Sequence, residues 1–413
     1  MICGTFAHAV SYAGVLIILA KLTDATTLGK FAYAIAIVEP VVQITGLNLR
    51  SLHATDSKIE TAFPDVFGLR ILTSIAALIL ISAIATVASS SSSTMAAIIL
   101  VGISRILESL SDILYASLQR REIMAGIGCS RLIRGTLTIF LFLAAIMLTG
   151  SLIMGIGALI AARVLTLFAY DLPHVKRVAA LDAPDPGSSG PAAEFTPRLD
   201  RVRLTRLLCL TLPLGITFFF IGLNINIPRY FLKSIGGEAA LGIFAALAYV
   251  LTAVRQFAAA LGQAAMPRMA RFYGAGELTA YKALLGKLLL IGTIIGFGCI
   301  AGAMLIGSEL LSIMYDETYG AQQSTFVVIM IGGLFLLTSA YMNNAITAAR
   351  AFRIQIPFLA ATTGVVSVTA GFLISRLGVD GAAWTLVVLG LFQILFRGGI
   401  ICWLLNRASR QRD

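Results

Sequence analysis

The sequence predicts an all-α integral membrane protein in which about twelve transmembrane helices form two six-helix lobes. Composition is the first observation behind this prediction, because 58% of the 413 residues are hydrophobic, only 12% are charged and the mean hydropathy is +0.91. A soluble protein of this length needs more polar surface than that. The second observation is a series of apolar windows, and the third is one proline-rich interruption that divides the series into equal halves.

Apolar windows of about 20 residues, the length that crosses a bilayer, define the individual helices. The first window lacks the basic segment that precedes the apolar part of a signal peptide, so we expect it to be a membrane span. The twelve windows lie near residues 2–21, 30–49, 67–88, 95–117, 132–149, 151–170, 207–227, 239–260, 284–306, 324–346, 352–374 and 379–404.

Residues 171–200 interrupt the windows and are predicted to be a cytoplasmic linker. A composition rich in proline, with a Gly-Ser-Ser-Gly run at 187–190, cannot bury a core. Its prolines are Pro173, Pro184, Pro186, Pro191 and Pro197. Since six windows lie on each side, the predicted domains are an N-terminal lobe at 1–170 and a C-terminal lobe at 201–413.

A weak internal repeat supports the two halves. Leu28-Gly29-x-Phe31-Ala32 matches Leu241-Gly242-x-Phe244-Ala245, and both copies open the second span of their half. Equal halves joined by a cytoplasmic linker predict a parallel repeat, whose axis runs along the membrane normal as in many secondary transporters.

Basic residues orient the predicted spans. With the N-terminus in the cytoplasm, the inner loops and the C-terminal tail carry most of the 31 lysines and arginines, which is the positive-inside pattern. The formal net charge of +11 is thereby explained without nucleic acid, and the basic inner rim is expected to attract anionic membrane lipids. The outer loops carry only Lys21, Lys30, Arg229, Lys233 and Arg376.

Several chemistries lack their sequence signatures. The five cysteines stand singly in apolar stretches, without a CxxC pair or a histidine at ligand spacing, so neither a metal site nor a disulfide is expected. No GxxxxGK[ST] motif is present, which excludes an ATP-driven pump in one chain. No outer loop is long enough for a catalytic domain, so we expect no enzyme. Twelve spans in two halves favour a transporter over a channel.

An ionisable stripe within the fourth span is the strongest functional signal. Arg105, Glu108, Asp112, Tyr115 and Gln119 recur at steps of three and four, which places them on one face of a helix. Each charge at the bilayer centre costs roughly 2.5 to 3.5 kcal/mol to insert. The face must therefore turn toward protein or a wet cavity. The alternative to a functional site is a structural ion pair between Arg105 and Glu108.

The charges within the spans predict an anionic cargo, because arginines outnumber acids and guanidinium groups bind phosphate in bidentate fashion. The predicted substrate-binding residues are Arg105, Glu108, Asp112, Arg163, Arg255, Arg397, Asn224, Asn226 and Arg229. Two alternatives remain open. Arg131, Arg134, Arg163 and Arg397 could instead reach the lipid headgroups. The group at 224–229 could instead cap its helix before Gly236-Gly237.

Glu39 is the first candidate for ion coupling and Asp112 is the second. Glu39 lies mid-span beside the helix-breaking Pro40, and burial disfavours a charged carboxylate, which can then load and release a proton or Na⁺. The alternative is permanent pairing of Glu39 with an arginine such as Arg255. Apart from H⁺ or Na⁺ as a coupling ion, no cofactor is expected.

Several phrases of the sequence resemble the polysaccharide-transporter branch, the Wzx-type O-antigen and exopolysaccharide flippases, of the multidrug/oligosaccharidyl-lipid/polysaccharide exporter superfamily. The resemblance covers residues 1–275. It is carried by LGKFAYAIAIVEP at 28–40, ESLSDILYASLQRRE at 108–122, LPLGI at 212–216, NIPRYFL at 226–232 and GIFAALAY at 242–249.

This resemblance implies two six-helix lobes around a central cavity. It also implies nucleotide-independent flipping of undecaprenyl-pyrophosphate-linked oligosaccharides across the bacterial inner membrane by alternating access. The products would feed O-antigen, capsule or exopolysaccharide assembly, with a polysaccharide polymerase and chain-length proteins as partners. One departure is that the chain begins almost at its first span, where family members often carry a short polar lead.

Two other functions fit the same architecture. An ion-coupled multidrug or cation antiporter of the superfamily needs an acidic cavity, and the excess of arginines argues against it. A non-transporting scaffold of a glycan assembly complex needs no charges at the centre of a span, and the ionisable stripe argues against that. A lipid-linked peptidoglycan precursor flippase is closer in chemistry but usually carries two further spans.

Overall fold

The computed structural model describes residues 2–55, 62–89, 91–181, 196–349, 351 and 354–410, and these residues form helices and short connections without a strand. The helices are α1 Ile2–Leu22, α2 Ala25–Gly46, α3 Leu49–Thr55, α4 Phe63–Ala88, α5 Ser92–Arg120, α6 Met124–Thr149, α7 Leu152–Thr166, a π-helical turn Leu167–Asp171, α8 Leu172–Leu181, α9 Arg201–Gly274, α10 Leu278–Met314, α11 Glu317–Gly320, α12 Gln323–Ala348, α13 Gln355–Leu377 and α14 Val379–Arg410. The predicted all-α class is confirmed.

The described part of each predicted span falls mainly on one of these helices, and residues 352 and 353 of the eleventh window lie outside the described part of the chain. The windows 207–227 and 239–260 share α9, whose only break in helical backbone is Gly237 with φ of 78°, a left-handed conformation that glycine adopts without strain. Nine helices of the described chain are long and apolar enough to cross a membrane. The chain is therefore a multi-pass membrane protein.

The chain forms two compact units, Met1–Thr23 with Lys30–Leu223 and Asp24–Gly29 with Asn224–Asp413. They divide the chain within α9, whereas the predicted lobes end at 170 and begin at 201; those functional lobes stay a prediction. The first part of the predicted linker, 171–181, is helical and buries Val175. Residues 182–195 lie outside the described part of the chain.

Helix α5 occupies the centre of the first unit. It packs against α3, α4, α6, α7 and α8, while α6 also packs against α1 and α7. The charged stripe of α5 thus faces protein, as the cost of exposing charge to lipid requires. In the second unit, α12 packs against α10 and α14, and α13 packs against α14.

The glycines of the two repeat copies, Gly29 and Gly242, meet within the second unit. A side chain added at Gly29 would strike the backbone carbonyl of Glu238, and one added at Gly242 would strike the carbonyl of Ala25. Each carbonyl lies four residues before the other glycine, so the contact is reciprocal. Small residues let membrane helices approach this closely.

We expect Gly29→Val and Gly242→Val to destabilise the protein by about 1 to 3 kcal/mol, because the added side chain forces the two helices apart. Gly298→Val is the matched control, since Gly298 lies within α10 and a Cβ atom added there would have no described neighbour within 4 Å. Thermal unfolding of the purified protein measures the difference. Equal losses of melting temperature in all three variants would assign the effect to helix propensity rather than to the close contact.

Candidate functional site

A cleft opens within the first unit among α1, α2, α5, α6 and α7. Its apolar lining comes mainly from α1 and α2. Its polar lining includes the guanidinium groups of Arg105, Arg134 and Arg163 and the hydroxyl groups of Ser104 and Thr138. Three neighbouring helices thus each supply one arginine to the same cavity.

The carboxylate of Glu108 lies at the centre of these arginines. Arg105 Nη1 is 3.0 Å and Arg163 Nη2 is 3.4 Å from Glu108 Oε2, and Arg134 Nη2 is 4.0 Å from Oε1. Arg105 and Glu108 are neighbours on α5 because they are three residues apart, while the packing of α6 and α7 against α5 brings in the other two. The predicted Arg105–Glu108 pair therefore exists, but as part of a larger cluster.

Glu39 completes this cluster from α2. Arg105 Nη2 is 3.2 Å from Glu39 Oε2, and Gln43 Nε2, one turn further along α2, donates a 2.9 Å hydrogen bond to Oε1. The arginine that pairs with Glu39 is thus Arg105 of the same unit, not Arg255. The coupling role of Glu39 stays a prediction.

The cleft has more positive than negative charge. Three arginines face two glutamates, which leaves one positive charge without a matching carboxylate. Arg134 is 6% exposed, and its Nε and Nη1 atoms, like Nε of Arg163, are buried without a hydrogen-bond acceptor among the described residues. Buried donors of this kind are costly unless an acceptor reaches them. The arrangement is therefore suited to an anion.

The remaining stripe residues belong to other contacts. Asp112 pairs with Arg50 Nη1 at 2.7 Å, and Arg50 Nε donates to Gln119 Oε1 at 3.2 Å. The side chain of Asp112 is 42% exposed. The sequence places Arg50 in an inner loop and gives no signal that it is the partner, because the short helix α3 that carries it lies beyond the second apolar window.

Tyr115 belongs to a buried hydroxyl cluster that sequence reasoning missed. Its OH lies 2.5 Å from Ser130 Oγ, and Ser130 Oγ donates a 2.5 Å hydrogen bond to Asp171 Oδ1. Arg50, Arg131 and Arg134 have their guanidinium carbons within 6.0 Å of the centre of the Tyr115 ring, in cation–π geometry. No sequence pattern marks Asp171 as a site residue, because it follows the sixth apolar window by one residue.

The alternative that arginines extend to the lipid headgroups is wrong for Arg134, Arg163 and Arg397. Arg134 and Arg163 line the cleft. Arg397 is buried and donates hydrogen bonds to the backbone oxygen of Ser339, at 2.8 Å, and to its hydroxyl oxygen. Arg131 packs over the Tyr115 ring. Each guanidinium finds protein acceptors or an aromatic face, so it need not extend to the membrane surface.

Several predicted substrate-binding residues lie in the second unit. Arg255 is half-buried and forms no ion pair or hydrogen bond with the described residues, and the nearby charges that act on it are those of Arg229 and Arg397. Asn224 Nδ2 donates a 3.2 Å hydrogen bond to the carbonyl of Leu359, which links α9 to α13. Arg229 Nη1 donates to Asn226 Oδ1 at 2.9 Å.

These contacts correct one of the predicted alternatives. Residues 224–229 lie inside a continuous helical stretch and do not cap a helix end, because the break comes later, at Gly237. Their predicted contact with sugars is not tested. Within the described residues no group of three or more His, Cys, Asp or Glu side chains could hold a metal ion.

No family model matches the chain. The capsular polysaccharide biosynthesis protein CapF of Staphylococcus aureus is 22% identical over 376 residues, which cover 91% of this chain and 90% of CapF. The lipid II flippase MurJ has a TM-score of 0.76 at 12% identity, covering 98% of this chain and 89% of MurJ.

Two further solved structures share the architecture. An inward-facing MATE family transporter of the MOP superfamily has a TM-score of 0.75 at 13% identity, covering 96% of this chain and 95% of that one. A MOP superfamily transporter from Pyrococcus furiosus has a TM-score of 0.67 at 14% identity, covering 100% and 94%. The chain therefore has the MOP superfamily fold, and its similarity to CapF confirms the predicted resemblance to the polysaccharide branch.

We expect Glu108→Ala to lower the amount of folded protein in the membrane, because it leaves buried guanidinium groups without their shared carboxylate. Breaking a buried ion pair in this way costs about 3 to 5 kcal/mol. Asp112→Ala should cost much less, since the Asp112 side chain is 42% exposed. Quantitative immunoblots of membranes and thermal unfolding of purified protein measure both effects.

Arg163→Gln combined with Glu108→Gln provides the control, because it removes a cation together with the anion and should recover part of the lost stability. Equal losses for Glu108→Ala and Asp112→Ala would show that Glu108 does not organise the cluster.

Proposed function

We propose that the protein is a flippase that moves undecaprenyl-pyrophosphate-linked oligosaccharide repeat units across the bacterial inner membrane by alternating access. The observation that supports this most strongly is the cleft of the first unit, in which Arg105, Arg134 and Arg163 outnumber Glu39 and Glu108. Positive-inside placement of the basic residues favours cytoplasmic termini.

The diphosphate of such a lipid matches the chemistry of the cleft. As a diester it carries two negative charges and several acceptor oxygens, and guanidinium groups bind phosphate through paired hydrogen bonds. Nε and Nη1 of Arg134 and Nε of Arg163 lack acceptors among the described residues, so a bound phosphate would satisfy them. In a low-dielectric cavity such contacts are stronger than in water.

Binding an anion would also redistribute the internal ion pairs. Arg163 and Arg134 sit 3.4 and 4.0 Å from Glu108, at the long end of ion-pair distances, whereas Arg105 is held at 3.0 Å by Glu108 and at 3.2 Å by Glu39. We therefore assign Arg105 mainly to holding the two glutamates. Arg134 and Arg163 are the arginines able to turn toward phosphate.

The similarity to CapF supports a role in capsular or related polysaccharide assembly, with transport rather than catalysis as the activity. In that role the flipped repeat unit passes to a polysaccharide polymerase and chain-length proteins. A multidrug or cation antiporter is the competing function, and the net positive cleft opposes it because a cationic cargo would be repelled.

Transport in proteoliposomes tests the proposal. The wild-type protein should move a fluorescent polyprenyl-diphosphate oligosaccharide between leaflets without nucleotide, and should not move a lipophilic cationic dye. Arg163→Gln should slow transport by about 10- to 100-fold, because a hydrogen bond between charged groups is worth about 1.5 to 3 kcal/mol. Arg163→Lys should retain part of the activity as a point charge.

Arg376→Gln is the matched control, since Arg376 lies over the Phe372 ring of α13 outside the cleft, and it should transport as the wild type does. Transport of the cationic dye with no movement of the lipid-linked sugar would contradict the proposal and favour the antiporter.

A further inference from the structure

Arg134 stands between two carboxylates that belong to different parts of the first unit. On one side it faces Glu108 in the cleft, at 4.0 Å. On the other side its charge acts on Asp171 and its guanidinium lies 5.9 Å from the centre of the Tyr115 ring. Helix α6 explains this position, because Ser130, which hydrogen-bonds to Asp171, and Arg134 are four residues apart on one helical face.

The carboxylate of Asp171 is buried among side-chain hydroxyl groups. It is 2% exposed, and its carboxylate accepts hydrogen bonds from Ser130 Oγ at 2.5 Å and from Tyr115 OH at 3.5 Å. Ser111 of α5 also hydrogen-bonds to it. Within the described residues Asp171 forms no ion pair with a basic side chain. A buried carboxylate without a paired cation is costly while it is charged.

The backbone around Asp171 departs from an ordinary helix. The N–H of Leu172 donates to the carbonyl of Leu167, five residues back, and Pro173 has no N–H to continue the usual pattern. The resulting π-helical turn packs against α5. Single π-helical turns inside α-helices are frequent at functional sites, and no role in the proposed anion site accounts for this one.

We propose that Asp171 is a proton-binding site linked to anion binding in the cleft through Arg134. When Asp171 is charged, its attraction for Arg134 competes with that of an anion in the cleft. When an anion enters the cleft, it draws Arg134 toward itself, and Asp171 then takes up one proton from the aqueous phase to remain stable. This inference rests on the anion site of the proposed function and adds its regulation.

Reciprocity fixes the direction of the effect. If anion binding favours protonation of Asp171, protonation must favour anion binding by the same factor. Anion affinity should therefore rise as the pH falls. No covalent step is involved, since the proton moves from solvent to an oxygen of Asp171 and returns when the anion leaves.

The other titratable and charged groups near Asp171 define the controls. From α5, Tyr115 donates to the cluster, and Asp112 is already paired with Arg50 of α3. From α6, Arg131 and Arg134 lie against the Tyr115 ring, and Cys129 contacts Tyr170. On α8, His174 stacks on Tyr170 with ring centres 5.3 Å apart. His174 needs its own control, because its imidazole is another side chain next to the π-helical turn that can bind a proton.

Calorimetry on the purified full-length protein in lipid nanodiscs tests the linkage. The probe is a short-chain dialkyl diester of pyrophosphate, whose two charges do not titrate between pH 5.5 and 7.5. The wild-type affinity should increase toward low pH by up to about tenfold per pH unit, the limit for one linked proton. Binding heats measured in buffers of different ionisation enthalpy should show proton uptake.

Asp171→Asn should bind with the low-pH affinity of the wild type at every pH and without proton uptake, because the neutral amide mimics the protonated carboxyl. Ser130→Ala should move the pH midpoint upward, since it removes a donor that stabilises the charged form. His174→Gln and Asp65→Asn should behave as the wild type does; Asp65 is a buried carboxylate of the same unit that is paired with Arg203 instead.

The possible outcomes distinguish failure of the proton linkage from failure of the anion site. If the wild type binds the probe with an affinity that does not change with pH, or if Asp171→Asn retains the pH dependence, the linkage is wrong and the anion site stands. Loss of the pH dependence in His174→Gln would also overturn it, by assigning the proton to His174. If the wild type does not bind the probe at any pH, both the linkage and the proposed function fail.

Discussion

One carboxylate shared by three arginines organises the first unit. Glu108 cannot lie buried without cations, and Arg105, Arg134 and Arg163 cannot lie buried without an anion, so the cluster fixes α5, α6 and α7 against one another. Glu39 secures α2 to the same cluster through Arg105. The charges of the cluster do not balance, because three cations surround two anions. In the proposed function, that excess of positive charge attracts the anionic group of the cargo.

Because of the same excess of positive charge, Arg134 can interact with both the cleft and Asp171. It is weakly held by Glu108 and acts on Asp171, so small changes at either carboxylate change where its charge is available. A transporter needs two states of similar free energy that a cargo and an ion can bias. In the proposed linkage, Arg134 supplies such a bias within one unit, because it is shared between the cleft and Asp171.

The sequence predicted the helical class, the positions of the spans and the importance of the fourth one, because these depend on hydropathy and on period 3.6 alone. It did not predict the partners of the stripe. Periodicity shows which residues share a face, but not that Arg50 would face Asp112 or that Asp171 would face Tyr115. The turn predicted at Gly236-Gly237 between the seventh and eighth spans is where the structure breaks α9, because glycine adopts the positive φ of Gly237 without strain.

A structure of the protein with a bound polyprenyl-diphosphate oligosaccharide, determined by electron cryo-microscopy in nanodiscs, tests the central claim most directly. The account predicts diphosphate density within hydrogen-bonding distance of Arg134 and Arg163, with Arg105 still holding Glu39 and Glu108. Density for the diphosphate at another site, with both arginines still directed at Glu108, would contradict it.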